Sequence, residues 1–143
     1  MKWFTGLTRF NEVGLLILRR AIGSIFLVHG TAKWGMWGLE PSEQLPAAML
    51  TIMKILSVAE PLGGVAMILG FLTPFAAVGL GIVMLGAINT KISAMGLKFM
   101  EMQSAGWEFD FLIFCSLVCI LTSGPGRYSV DKRMLKSASP TTA

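Results

Sequence analysis

Four apolar stretches, each near the length that crosses a bilayer, constrain this chain more than any other feature. They cover about residues 13–29, 51–69, 74–92 and 107–122. A bilayer core of about 30 Å takes about 20 helical residues, so each stretch predicts one spanning helix. Only 14% of the residues are charged, against about 25% in soluble domains. The sequence therefore predicts an all-α integral membrane four-helix bundle, in a single domain over residues 1–136.

The distribution of basic residues orients the predicted helices. The two terminal segments hold most of the basic residues outside the apolar stretches, whereas the two longer loops hold only Lys33 and Lys98. The positive-inside rule therefore predicts that both termini are cytoplasmic. The net charge of +4 is not gathered on one soluble face, which argues against a nucleic-acid partner and for contact with lipid headgroups. Residues 137–143 are small and polar and are expected to form a disordered tail.

Charged residues lie within the apolar stretches or at their ends, where a charge is costly and is usually retained for a purpose. With four crossings, the end of span one, the start of span two, the end of span three and the start of span four share one membrane face. We therefore expect a polar cluster near the outer face. Its members are His29, Lys33, Lys54, Lys91, Glu108 and Asp110.

Two further charges are predicted to lie deeper. At 1.5 Å per residue, Arg19 and Glu60 reach comparable depths on neighbouring helices, and we hypothesise that they pair. Helical phase places Arg19 on one stripe with Gly23 and Gly30, which permits a close helix neighbour. Arg20 is rotated away from this stripe. The alternative is that Arg19 also extends to the cytoplasmic headgroups.

Pro61 directly follows Glu60 in the second stretch. Proline removes an amide donor and frees the carbonyl of Ser57, so we expect a kink that lines a cavity. Gly63 and Gly64 follow after less than a turn. They are interpreted as residues for close helix packing and not as a phosphate-binding loop.

His29 is the only side chain here that titrates near neutral pH when unperturbed. It is a candidate for proton handling or for a hydrogen bond to a ligand carbonyl. The alternative is an interfacial residue bonded to water or to a loop carbonyl. Cys115 and Cys119 share a helix face and are interpreted as small core residues. One histidine and two cysteines within a span do not make a ligand set, so no metal site is predicted.

Several segments resemble the DoxX family, and the resemblance extends over about residues 13–135. The matching segments are residues 18–30, 60–64, 69–73, 106–108 and 124–131. The resemblance implies a small four-helix protein of a prokaryotic cytoplasmic (inner) membrane. It also implies a redox context, because family members are described as subunits of thiosulfate–quinone oxidoreductase or as parts of membrane-associated oxidoreductase assemblies. Lys91 departs from the family pattern, since similar proteins often carry His near this position.

The closing segment of the chain has a physical interpretation of its own. Gly124 and Gly126 are expected to end helix four. Arg127 would then lie at the inner headgroup layer as an anchor. Asp131 is expected to pair with Arg127 or Lys132.

Together these features predict a membrane subunit of a redox-associated complex that binds a quinone or a similar lipid-soluble redox molecule near the outer face. No flavin or nicotinamide motif is present, so electrons would come from a partner oxidoreductase, and whether the chain is itself an enzyme stays open. The predicted binding set is Arg19, His29, Lys33, Glu60, Lys91 and Glu108. The predicted structural set is Gly30, Pro61, Gly63, Gly64, Gly124, Gly126, Arg127 and Asp131.

Two alternatives belong to other functional classes. One is a non-catalytic protein that assembles or stabilises a membrane partner, with its Met- and Trp-bearing loops as the docking surface. The other is a small-anion permease, motivated by the positive excess near the outer face. Four helices are few for transport, so the permease would act as a homo-oligomer.

Overall fold

A computed structural model describes residues 10–102 and 105–138 of the chain. This part of the chain is helical and contains no strand, which confirms the all-α prediction. We number the α-helices in chain order and name the short 3-10 helix separately. The elements are α1 (Asn11–Thr31), the 3-10 helix (Ala32–Gly38), α2 (Ala47–Leu69), α3 (Thr73–Ser93), α4 (Glu108–Ser123) and α5 (Val130–Ala138).

Within residues 10–102 and 105–138, three segments are long and apolar enough to cross a membrane: α1 with its 3-10 extension, α2 and α3. Helix α4 has 16 residues, which gives a length of about 24 Å against a hydrocarbon core of about 30 Å. It nevertheless lies along α3, because Asp110 pairs with Lys91 at one end and Pro125, just after α4, lines the same groove as Pro74 at the other. The arrangement fits a four-helix bundle, and a fourth crossing stays a prediction.

The bundle has two ends, which we name by their connections. The turn end contains the short connection between α2 and α3, at residues 70–72, and the C-terminal segment 124–138. The loop end contains residues 32–46 and the described part of 94–107. At the turn end, Gly70 takes a left-handed conformation with φ of 67° that suits glycine, and it closes α2.

The four long helices contribute to one apolar core. Helices α1 and α2 approach most closely, since a Cβ on Gly23 would meet the carbonyl oxygen of Gly64 at 2.6 Å. Further along the same contact, Gly30 lies directly against the ring of Pro61. The buried apolar residues are Ile22, Phe26, Met67, Ala77, Leu80, Met84, Ile113, Leu117 and Ile120.

The outward face of α4 contradicts one prediction. Cys115 and Cys119 are exposed and unpaired thiols, not core residues. Helix α4 packs through Ile113, Leu117 and Ile120, which form one buried stripe. The cysteines stand two residues from Ile113 and Leu117, which is about 200° around the helix, so they face away from the core.

The C-terminal segment forms a helix that the sequence analysis did not predict. Helix α5 begins where Ser129 Oγ accepts a hydrogen bond from the Lys132 amide at 3.1 Å, which caps the first turn. Residues 137–138, assigned above to a disordered tail, belong to this helix. The remainder of that predicted tail, residues 139–143, lies outside the described residues, as do residues 1–9.

Candidate functional site

Two ion pairs hold the loop end of the bundle together. Lys33 Nζ lies 2.5 Å from a carboxylate oxygen of Glu60, and Lys91 Nζ lies 2.6 Å from a carboxylate oxygen of Asp110. Lys33 belongs to the 3-10 helix that extends α1, and Glu60 belongs to α2. Lys91 lies in the last turn of α3, and Asp110 in the first turn of α4. Each pair therefore links two neighbouring helices of the bundle.

Both lysines have a second acceptor from the backbone. Lys33 donates to the carbonyl of His29 at 2.9 Å, and Lys91 donates to the carbonyl of Gly106 at 3.0 Å. The Glu60 side chain is only 5% exposed and that of Lys33 is 20% exposed. A charge this buried needs a partner of opposite sign. The two pairs thus neutralise four of the charges at the loop end, those of Lys33, Glu60, Lys91 and Asp110.

A small enclosed cavity of about 30 Å³ lies among the four helices at this end. One carboxylate from each pair, Glu60 and Asp110, lines it together with His29. Its volume is enough for one or two water molecules. His29 is an exposed residue whose side chain also lines this cavity. The remaining walls are apolar: Ile25, Phe26, Met84, Phe109 and Ile113.

Two tryptophans fix the 3-10 helix against α2. The indole nitrogen of Trp34 donates to the Ser57 carbonyl at 2.9 Å, and that of Trp37 donates to the Ser57 hydroxyl at 2.9 Å. The Ser57 carbonyl is the acceptor that Pro61 leaves without its usual helical donor. The Ser57 carbonyl, which Pro61 leaves without a helical donor, therefore binds the 3-10 helix that contains Lys33.

The same tryptophans line an open apolar groove along α2. Its part nearest the first ion pair has a volume of about 390 Å³. A second part of about 490 Å³ continues it and shares Trp37, Val58 and Leu62 with the first. Two residues that line the groove, Trp34 and Pro61, are the sequence neighbours of Lys33 and Glu60. The loop end therefore combines two ion pairs with a largely apolar open groove, whose second part is also lined by Thr51 and Lys54.

The structure gathers four of the six residues of the predicted binding set: His29, Lys33, Glu60 and Lys91. Glu108 is partly buried near them, but the carboxylate that meets Lys91 is that of Asp110. Asp110 was expected in the outer cluster but was not in the binding set. Helical phase could have identified Asp110 as the inward-facing carboxylate, because Asp110 lies on the same buried stripe as Ile113 and Leu117.

Arg19, the remaining member, lies at the turn end instead. Its side chain is buried, with the residue 1% exposed, and its guanidinium donates to the carbonyls of Pro125 and Tyr128. The distance to the Tyr128 oxygen is 3.0 Å. Arg19 therefore holds the C-terminal segment against the bundle and has no place in the loop-end cluster.

The hypothesised Arg19–Glu60 pair is wrong because the register of α1 against α2 differs from the one assumed. Gly30 contacts Pro61 and Arg19 contacts Gly70, so Glu60 stands level with Gly30. From Gly30 to Arg19 is eleven residues of helix, or about 16 Å. Glu60 therefore meets Lys33, and Arg19 lies too far along α1 to reach it.

Asp131 also has a different partner from those predicted. Its carboxylate accepts hydrogen bonds from the amides of Leu72 at 2.7 Å and Thr73 at 2.9 Å. These are amides at the first turn of α3, which have no acceptor inside their own helix. The expected pairing with Arg127 or Lys132 is therefore wrong, and Asp131 instead caps α3 from the C-terminal segment. Gly124 and Gly126, with φ of 81° and 74°, make the bends after α4 that bring it there.

Comparison with known proteins agrees with this architecture. The sequence pattern of the DoxX family matches residues 14–93. The uncharacterized membrane protein Rv3486 of Mycobacterium tuberculosis is 32% identical over 136 residues, covering 87% of this chain and 83% of the relative. A Bacillus subtilis protein named "Putative oxidoreductase CatD" is 30% identical over 131 residues, covering 87% of this chain and 90% of the relative. No solved structure matches significantly. With three helices able to cross a membrane and two similar full-length relatives, this chain belongs to the DoxX family of membrane proteins.

Proposed function

We propose that this protein is a membrane subunit of a redox-associated complex and binds a quinone at the loop end of its bundle. In this proposal both termini are cytoplasmic, the membrane is the inner membrane of a prokaryote, and the loop end faces outward. The observation that carries the proposal is that the groove along α2 is lined by Trp34 and Pro61, the sequence neighbours of the paired Lys33 and Glu60, while His29 and Glu60 line the small cavity at the same end. A quinone has the same two parts, a polar ring and an apolar chain.

The dimensions decide where each part of a quinone binds. The enclosed cavity of about 30 Å³ admits water but no ring. The ring therefore binds in the groove beside Trp34 and Trp37, where an aromatic face is available for stacking. One quinone oxygen then accepts a hydrogen bond from Lys33 or His29. The chain lies against Val58 and Leu62, which line both parts of the groove, and its far end extends toward the turn end among the lipids.

Reduction of a quinone to a quinol takes two electrons and two protons. His29 and the water-sized cavity between Glu60 and Asp110 lie where protons would be exchanged with the ring. The electrons come from the cofactor of a partner oxidoreductase. The name of the Bacillus relative, which covers nearly the whole chain, supports a redox setting of this kind.

Two of the three lysines of the predicted outer cluster are paired, which weakens the permease alternative. That alternative rests on an excess of positive charge near the outer face. Lys33 and Lys91 are each bonded to a carboxylate, so neither presents a free charge to a passing anion. The assembly alternative keeps one specific observation in its favour, since Met95, Met100 and Met102 stand exposed at the loop end.

Equilibrium binding to the full-length protein in lipid nanodiscs tests the proposal. Decylubiquinone and a short-chain menaquinone are titrated, and the bound fraction is read by native mass spectrometry. Lys33→Met removes a charged hydrogen-bond donor, which contributes about 1.5 to 3 kcal/mol, so we expect at least tenfold weaker binding. His29→Ala is expected to weaken binding by a smaller factor. Lys98→Gln removes an equal charge from an exposed loop position and is the matched control, with unchanged affinity.

The outcomes separate the alternatives. No quinone bound to the unmodified protein contradicts the proposal, and so does binding that neither Lys33→Met nor His29→Ala changes. Should protein extracted gently from membranes retain a polypeptide partner but no quinone, the assembly alternative is favoured instead.

A further inference from the structure

The turn end of the bundle carries an open apolar groove that the quinone proposal does not use. It lies between the start of α3 and helix α5 and has a volume of about 510 Å³. Phe75 on its rim is 75% exposed. Apolar surface of this extent on one side of a protein usually meets a hydrophobic partner. The apolar walls are Phe71, Leu72, Pro74, Phe75, Pro125, Met134 and Leu135.

Helix α5, which forms one wall of the groove, is fixed in place by directed bonds. The Asp131 carboxylate caps the first turn of α3, and the Asp131 amide donates to the Gly70 carbonyl at 3.0 Å. Ser129, which is buried, caps α5 itself. Arg19 holds the segment before α5 through two of its carbonyls. Both walls of the groove are therefore fixed by the fold, and the groove does not depend on a loosely attached tail.

The chemistry of α5 differs sharply between its two faces. Met134 and Leu135 share the groove side with Asp131, as expected for positions three and four residues apart. The basic residues Lys132, Arg133 and Lys136 occupy the rest of the helix surface and are exposed or nearly so. Asp131 is the single acidic residue between 124 and 138, and its carboxylate is already bonded to α3. The groove thus has an apolar floor beside an excess of positive charge.

We propose that this groove binds a phospholipid with an anionic headgroup. One acyl chain lies along Phe71, Phe75 and Met134, and the phosphate meets the lysines at 132 and 136, which are neighbours on the helix surface. Amphipathic helices with basic polar faces lie in the headgroup layer and bind anionic lipid in this way. A quinone head carries no charge, so the basic residues beside this groove have no role in holding one.

Native mass spectrometry of the full-length protein with added lipid tests this assignment. Phosphatidylglycerol and phosphatidylcholine with identical acyl chains are compared, so that only the headgroup charge differs. We expect the unmodified protein to prefer phosphatidylglycerol. Lys132→Gln/Lys136→Gln should reduce that preference by about fivefold per lysine, because each basic residue near an anionic surface contributes about 1 kcal/mol. Lys98→Gln, at the opposite end, is the control and keeps the preference.

A second variant tests the apolar half of the site. Met134→Ser lies on the groove wall and should weaken binding of both lipids by a similar factor, leaving the headgroup preference intact. Equal affinity of the unmodified protein for the two lipids would overturn the proposal. A preference that survives in Lys132→Gln/Lys136→Gln would overturn it as well, provided that circular dichroism shows the same helix content. Displacement of the bound lipid by decylubiquinone would reassign the groove to the quinone.

Discussion

The two ends of the bundle both bury charged side chains, but they give them different kinds of partner. At the turn end, Arg19 is bonded to backbone carbonyls and Asp131 to backbone amides. At the loop end, Lys33 and Lys91 are bonded to the carboxylates of other helices. A backbone partner cannot leave without moving the chain, whereas a side-chain partner can rotate away and be replaced by a ligand.

This difference separates a structural charge from a functional one in a membrane protein. Charge inside an apolar segment marks either use, and sequence alone does not say which. At the turn end the bonds tie the C-terminal segment to α1 and α3, and the groove beside Asp131 has apolar walls. At the loop end the pairs adjoin a cavity and an open groove.

Arg19→Met should be the most damaging substitution. It leaves the carbonyls of Pro125 and Tyr128 buried without their charged donor, and each such hydrogen bond contributes about 1.5 to 3 kcal/mol. We expect the free energy of unfolding to fall by about 3–5 kcal/mol, measured by denaturant titration in mild detergent. Arg20→Met removes the same group from the exposed neighbouring position and should change stability little. Equal effects of the two variants would show that Arg19 is not a structural charge.

Gly30→Ala should disrupt the loop end through packing. A Cβ at this position overlaps the ring of Pro61, so α1 and α2 must separate. Overpacking of this kind costs about 1–3 kcal/mol. Because Lys33 follows on the same segment, the separation should also open the Lys33–Glu60 pair and weaken quinone binding. Gly79→Ala, at a glycine of α3 with open space around it, is the control and should be neutral or slightly stabilising in thermal unfolding.

A double-mutant cycle on Lys33 and Glu60 measures the coupling energy between these two side chains directly. Lys33→Met leaves a nearly buried carboxylate unpaired, and we expect a loss of about 2 kcal/mol, reduced from the fully buried case because Lys33 is 20% exposed. Glu60→Gln should cost a similar amount, and the double variant should cost less than the sum. A parallel cycle on Arg19 and Glu60 should be additive, because these residues lie about 16 Å apart along the bundle. Coupling in the second cycle and none in the first would invert the assignment of partners.

The sequence was sufficient to predict the four long helices and which of their ends lie close together. The apolar stretches located α1 to α4 to within about four residues, because bilayer-length hydrophobicity is a strong local signal. The alternating direction of successive spans then predicted that His29, Lys33 and Lys91 lie at one end of the bundle. Helix α5 escaped prediction because it is short and charged, and its position depends on the distant amides of Leu72 and Thr73.

The sequence did not predict which charged side chains bond to each other. The depth of Glu60 relative to Arg19 depends on the register of α1 against α2, which is fixed by where Gly23 meets Gly64. A small error in a helix start shifts such a register by several residues. The choice between Glu108 and Asp110 depended on helical phase, and the buried stripe of α4 selects Asp110. Local patterns thus predict which residues are polar and near one another, while packing decides which of them bond.

Asp131→Ala is the mildest of these changes and the sharpest test of separation between the ends. It removes a helix cap that accepts two amide hydrogen bonds at the start of α3, and such a loss costs about 1 kcal/mol. Asp131→Asn keeps one acceptor oxygen and should cost less, so the two variants form a graded pair in thermal unfolding. Asp131 is bonded to Gly70, which lies ten helical residues, or about 15 Å, from Glu60, so quinone affinity should be unchanged in both. If quinone affinity fell together with stability, the turn end would be coupled to quinone binding. Arg19 and Asp131 could then no longer be treated as purely structural charges.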